Sequence, residues 1–287
     1  MNIVLIHIGS DIPDYMLDCI LQIRKFYQGV VMAVVPKSSH SKIEALNCGV
    51  AVIDVQTYMD KPLYKEFIKV CFLDGFWNVT LGRLFVLQAV MEDMGLENVV
   101  HIENDVLLYN NPETFQPLFN KISLSGILIC PVGPRYASAA VLYAPNHVCL
   151  KNVISLFGSY FMAGRKFIEQ KINGSDVTEM TMLAHFQTIN GCRIKYFPIL
   201  PSSDAVQYNN SIWDGASLGQ FVGGTNADGP GWYGAHHHFG AIQPVRKYTV
   251  EWKVVDGKKV PYLNDRGGLW RVNNLHIHCK DLKKYSS

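Results

Sequence analysis

The first hundred residues alternate between short apolar runs and amphipathic stretches, and this alternation limits the possible folds more than any other feature. The runs at about Asn2 to Ile8, Val30 to Val35 and Val50 to Val55 have the length and β-branched content of buried strands. Helical spacing is expected between them, at about Pro13 to Phe26 and Ser41 to Asn47. Further helices are expected at about Tyr64 to Cys71 and Thr80 to Met94, the second carrying Leu81, Leu84, Phe85 and Met91 and stopping at Gly95. Strands that alternate with helices build a mostly parallel sheet covered by helices. After Pro112 the character changes. Strands are expected at Ile127 to Pro131 and Ala139 to Tyr143, and helices at Lys151 to Phe167 and Val177 to Asn190. Glycine and aromatic residues then crowd the stretch from Trp213 to Phe239, a composition suited to a mobile active-site loop, expected from about Gly215 to Gly240.

With 287 residues, of which 48% are apolar and 17% charged, the chain can bury a full core in one large α/β domain spanning residues 1–287 or in two intimately packed halves. A formal charge of +2 gives no reason to expect a nucleic-acid partner. Seven cysteines without a C-x-x-C pair argue for reduced thiols and a cytoplasmic location. The N-terminus reads directly as a strand, and no apolar run approaches the ~20 residues of a membrane span, so neither export signal nor anchor is expected. No G-x-G-x-x-G follows the first strand, which argues against a dehydrogenase, and the lack of any glycine-rich phosphate loop there argues against a nucleotidyltransferase.

Chemistry concentrates in two segments. The run Val99 to Val106 carries Glu103 and Asp105 at its end. In an extended strand these two side chains share a face, roughly 7 Å apart. Carboxylates so placed suit Mg²⁺ or Mn²⁺, which often bridge protein acids to phosphates, although acid-x-acid at a strand end is also a common solvated turn. The second segment, Asn274 to Lys280, puts His276, His278 and Lys280 on one face of an extended strand. Imidazole can complete an ion's shell and a lysine ammonium can neutralise a diphosphate. A half-exposed edge strand would carry the same residues.

These segments, with Thr80-x-x-Arg83-Leu-Phe ahead of Val-His-Ile-Glu-Asn-Asp105, resemble the GT-A-fold glycosyltransferases, in particular glycogenin-like and lipopolysaccharide galactosyltransferase families. Microbial and viral glycosyltransferases are similar in an initial Ile6-His-Ile-Gly9, a segment like Trp213 to Gly224, and an ending like Asn-Leu-His-Ile-His. The resemblance implies a Rossmann-like, mostly parallel central sheet flanked by helices, with a smaller acceptor-side subregion. Residues from about 1 to 110 would form the nucleotide-sugar half. Those from about 111 to 287 would form the acceptor side, with a C-terminal metal and diphosphate segment.

It further implies a hexosyl- or pentosyltransferase that uses Mn²⁺ or Mg²⁺, a UDP- or GDP-sugar donor, and a glycan or other hydroxyl acceptor. Glu103, Asp105 and either His276 or His278 would hold the metal. Ile6, His7, Gly9, Arg83, Glu103, Asn104 and Lys280 would contact the donor. Glu in place of the commoner Asp at the first acid position makes Asp105 the firmer ligand. Glu179 and then Asp176 are the acids expected to face the acceptor or the transferring sugar, with Asp214 on the acceptor. Each has a structural alternative: Asp176 as a helix cap with Glu179 three residues on, Asp214 as an Asp-Gly turn, Arg83 as a surface helix residue. His236 to His238 are expected to touch sugar hydroxyls, and Trp232 and Tyr233 to stack on a sugar face. Two other readings remain: a metal-dependent phosphoester hydrolase, and a nucleotide-sugar-binding protein without turnover.

Overall fold

The computed structural model describes residues 1–122, 126–191, 193–224, 249–265 and 268–287. Its first strand, β1 (Asn2–Ile6), shows why the sheet is central: Ile3 and Leu5 enter one hydrophobic core while Val4 and Ile6 enter another. Helix α1 (Asp14–Phe26) crosses over to β2 (Val30–Val35), and α2 (His40–Glu44) leads to β3 (Ala51–Asp54). Short helices α3 (Gln56–Met59) and α4 (Pro62–Val70) precede α5 (Gly75–Asp93), which delivers the chain to β4 (Val99–Ile102) on the other side of β1. Every residue of α5 from Thr80 to Met91 is buried, so this is a core helix and not an amphipathic cover; it also begins at Gly75, before the expected Thr80.

The second half runs through β5 (Val106–Leu108), α6 (Gln116–Ile122), β6 (Ile127–Gly133), β7 (Tyr136–Ala144), α7 (His147–Ala163), α8 (Arg165–Lys171), α9 (Glu179–Ile189) and β8 (Ile194–Tyr196). A seven-stranded sheet results, in the order β3-β2-β1-β4-β7-β6-β8. β3, β2, β1 and β4 are mutually parallel, and β7 pairs antiparallel with both β4 and β6. The helix expected at Lys151 to Phe167 is two helices, because Gly164 takes a left-handed φ of 91° that ends α7 and starts α8.

After α10 (Ser203–Gln207), β9 (Ser211–Ile212) and α11 (Ser217–Gly223), strands β10 (Thr249–Val255), β11 (Lys258–Asp265) and β12 (Gly268–Val272) form a four-stranded sheet with β9. Finally β13 (Asn274–His276) pairs antiparallel with β5, opposing His276 to Val106. That pairing carries the C-terminal segment to the end of the central sheet. Among the described residues no helix is long and apolar enough to cross a membrane.

Candidate active site

β4 ends at Ile102, and the acids follow in a turn instead of continuing the strand as expected. Ladder pairing of β4 with β7 stops at Ile102 opposite Val141, and Val106 N–H closes the turn on the Glu103 carbonyl at 3.1 Å. Turning brings the two carboxylates together more tightly than a strand could. One ligand atom from each of Glu103, Asp105 and His276 lies within 4.8 Å of the others.

His276 reaches this cluster because Ile277 N–H donates to the Asp105 carbonyl at 2.8 Å. Its Nδ1 lies 2.8 Å from the Gly215 carbonyl, which can only accept, so Nδ1 carries a proton and Nε2 faces the acids. Nε2 stands 3.2 Å from Asp105 Oδ1 and 3.3 Å from Glu103 Oε2. Two atoms bound roughly 2.1 Å from one ion in neighbouring octahedral positions stand about 3 Å apart, so the spacing and the N/O donor set both fit Mn²⁺ or Mg²⁺. His278 stacks on His276 with ring centroids 4.1 Å apart and lies outside the three-residue cluster. Only His276 is in a strand; Lys280 takes a φ of 62°, so the three residues do not share a strand face as expected.

The segment Trp213 to Gly224 holds His276 in place. Asp214 is buried and its carboxylate accepts from the backbone N–H of Ala216, Leu218, Gly219 and His276. Burial pushes this carboxyl up against the pull of those amides. Its oxygens are thereby committed to the backbone, which corrects the expected acceptor-binding role. A Cβ on Gly219 would stand 2.0 Å from the His276 carbonyl oxygen, so glycine is needed for α11 to lie against β13. A mobile loop was expected from Gly215 onward. The described part is buried and helical instead, because the Asp214 carboxylate satisfies the helix start. The remainder of that expected loop, with Trp232, Tyr233 and His236 to His238, lies outside the described residues.

Fixed positive charge flanks the acids. Lys280 Nζ donates to Asp105 Oδ2, and the buried Arg83 donates through Nη2 to Glu103 Oε1, with Glu179 Oε2 3.8 Å away. Burial alone would raise both acids, but Arg83 and His276 hold Glu103 low, and His276 and Lys280 hold Asp105 well below the usual carboxylate range. His276 is pushed up to about 9 by Asp105 and Glu103 despite its burial. Glu179 goes the other way: burial lifts it to about 7 against the pull of Arg83.

These groups line a cavity of about 420 Å³ at the carboxyl ends of β1 and β4. It gathers Ile6, His7, Arg83, Glu103, Asn104, Asp105, Glu179, His276, His278 and Lys280, and leaves out Gly9, Asp176 and Asp214. His7 Nδ1 lies 3.2 Å from Asn104 Nδ2, and burial lowers the His7 pKa. Gly9 lies outside the lining but close to His7, since a Cβ there would meet His7 Nε2 at 2.8 Å. Asp176 is neither in this cavity nor a helix cap, for Thr178 caps α9 with Thr181 completing the box. Tyr15, Phe76, Trp77 and Gln220 line the cavity without having been singled out in the sequence. Phe76 and Trp77 left a signal there: adjacent large aromatics after Asp74-Gly75, just ahead of Thr80-x-x-Arg83.

No protein-family profile matches the chain, and no curated protein matches it in sequence. Solved structures do. Mouse xyloside xylosyltransferase 1 in its apo form aligns over 69% of this chain and 84% of its own, with a TM-score of 0.50 at 10% identity. The galactosyltransferase LgtC, in complex with donor and acceptor sugar analogues, aligns over 72% and 82% with a TM-score of 0.45 at 13% identity. The glycosyltransferase GlyE of Streptococcus pneumoniae covers 76% of this chain and 47% of its own, with a TM-score of 0.41 at 12% identity. The likeness to the mouse protein shows the GT-A fold that the sequence led us to expect.

Proposed function

We propose that the chain is a metal-dependent glycosyltransferase moving a hexosyl or pentosyl group from a UDP- or GDP-sugar to a hydroxyl of a glycan or other alcohol. The observation that carries this reading is the Glu103, Asp105 and His276 cluster at the carboxyl ends of the parallel strands, inside one cavity with Lys280 and Arg83. A fold shared with a xylosyltransferase agrees with it. Asp105, Glu103 and His276 would hold Mn²⁺ or Mg²⁺, which when bound supplies a Lewis acid for the departing diphosphate. Lys280 and Arg83 add fixed positive charge where negative charge develops. Glu179, its carboxyl near 7, is matched to accept a proton from an attacking hydroxyl at neutral pH in an inverting transfer; in a retaining one its part is electrostatic. The cysteine pattern supports action in the cytoplasm.

Thermal unfolding with a panel of UDP- and GDP-sugars, with MnCl2 or with EDTA, tests the reading. A donor at 100 times its Kd adds roughly 2.7 kcal/mol of stability, and only when the ion is present. Sugar transfer that persists in excess EDTA refutes it. Phosphoester hydrolysis without sugar transfer would make the chain a hydrolase, and tight nucleotide binding without turnover a binding protein.

A further inference from the structure

A second cavity, of about 490 Å³, adjoins the first, and Trp77 and Met180 line both. We propose that it seats the acceptor, and that the acceptor presents a neutral pyranose; this rests on the donor reading of the first cavity. Its volume falls in the range of small-ligand pockets. Thr178 and Met180 line the second cavity while Glu179, between them in sequence, lines the first. The capping box of Thr178 and Thr181 fixes that junction. A sugar in the second cavity therefore lies beside the helix start whose Glu179 lines the first.

The lining matches a pyranose. Trp77 lines both cavities with an aromatic ring, a group that packs on the apolar C–H side of a sugar. Asp74 and Asp176 are exposed carboxylates that form no ion pair among the described residues, and their oxygens can accept from the O–H groups of a sugar. Arg165 packs its guanidinium 4.7 Å over the Phe72 ring. With two acids against this one cation among the described lining residues, the lining disfavours a phosphorylated or carboxylated acceptor. In the transfer, the bond from the anomeric carbon to the acceptor oxygen forms as the bond to the diphosphate breaks. The electron pair leaves with the diphosphate, and the acceptor proton goes to Glu179 in an inverting transfer or to the departing diphosphate in a retaining one.

Saturation-transfer NMR on the full chain tests this with methyl glucopyranoside, galactopyranoside, mannopyranoside and xylopyranoside, each with and without Mn²⁺ and UDP. At least one glycoside should bind, and the Asp74→Asn/Asp176→Asn variant should bind it at least tenfold more weakly while keeping its Mn²⁺–UDP affinity within twofold. A protein that binds Mn²⁺–UDP but none of the glycosides overturns the proposal. So does glycoside affinity unchanged by the double substitution, or a preference for methyl glucuronide over the neutral sugars. Loss of Mn²⁺–UDP binding alone counts against the donor reading, because the glycosides are also measured in its absence.

Discussion

If Glu103, Asp105 and His276 hold an ion as proposed, taking it up has to expel a proton from His276, so ion affinity should rise about tenfold from pH 7 to pH 8. In the ion-free protein the imidazolium stands within 3.3 Å of both carboxylates, which hold its pKa at about 9. Coordination needs the neutral Nε2, and at pH 7 only about one ring in a hundred has it, a cost of roughly 3 kcal/mol. The same shift sets the stability of the ion-free protein. Because the folded value lies above the unfolded one of about 6.5, the stabilisation is complete below pH 6.5 and is lost as pH rises through 9. It amounts to no more than roughly 3 kcal/mol. Calorimetric titration of MnCl2 in buffers of different ionisation enthalpy reads the proton directly, and close to one should be released per ion at pH 7. An affinity that is flat between pH 7 and 8, with no proton released, would refute the reasoning, and His276→Gln should show that flat profile.

Three other outcomes follow from the geometry. Gly219→Ala should cost about 3 kcal/mol or more in urea unfolding, because its Cβ meets the His276 carbonyl oxygen at 2.0 Å; an unchanged midpoint means α11 does not lie this close to β13. Arg83→Met strands Glu103 and Glu179 without their cation and should destabilise by about 3 kcal/mol, with Glu103→Gln added to it restoring part of the loss; single and double variants of equal stability would count against the ion pair. For an inverting transfer, kcat/KM should rise tenfold per pH unit below about 7 and level off above it, since Glu179 must lose its proton to act as base. A limb that survives in Glu179→Gln belongs to another group.

The central sheet was legible because β1, β2 and β4 are apolar runs with no competing signal, and period-2 burial of Ile3 and Leu5 against Val4 and Ile6 follows directly from pattern. Glu103, Asp105, His276 and Lys280 stood out in the sequence as polar side chains at the ends of apolar runs, a pattern that a solvated turn or an edge strand shares, and the structure brings them together in one cavity. Their geometry was not legible. A strand predicted one shared face for the acids, whereas two partners remote in sequence, the Ala140 carbonyl of β7 accepting from Glu103 N–H and Ile277 N–H donating to the Asp105 carbonyl, hold them in a turn that Val106 N–H closes locally. Asp214 misled for a related reason: a carboxylate that binds sugar and one that binds four amides look alike in one dimension. Glycine content likewise suggested mobility in Gly215 to Gly224, where Gly219 instead permits close packing. Nothing local told Thr178 from Asp176 as the cap, since both are good N-cap residues.

The Asp214 carboxylate has a consequence for how the molecule opens. One anion joins three amides at the start of α11 to the amide of His276, so none of these bonds breaks without weakening the rest. Hydrogen exchange should therefore find Ala216, Leu218, Gly219 and His276 in a single cooperative unit, with closely similar opening free energies despite the distance between them along the chain. Protection at His276 would then report on a helix some sixty positions earlier, and a substitution in either segment should lower it in both.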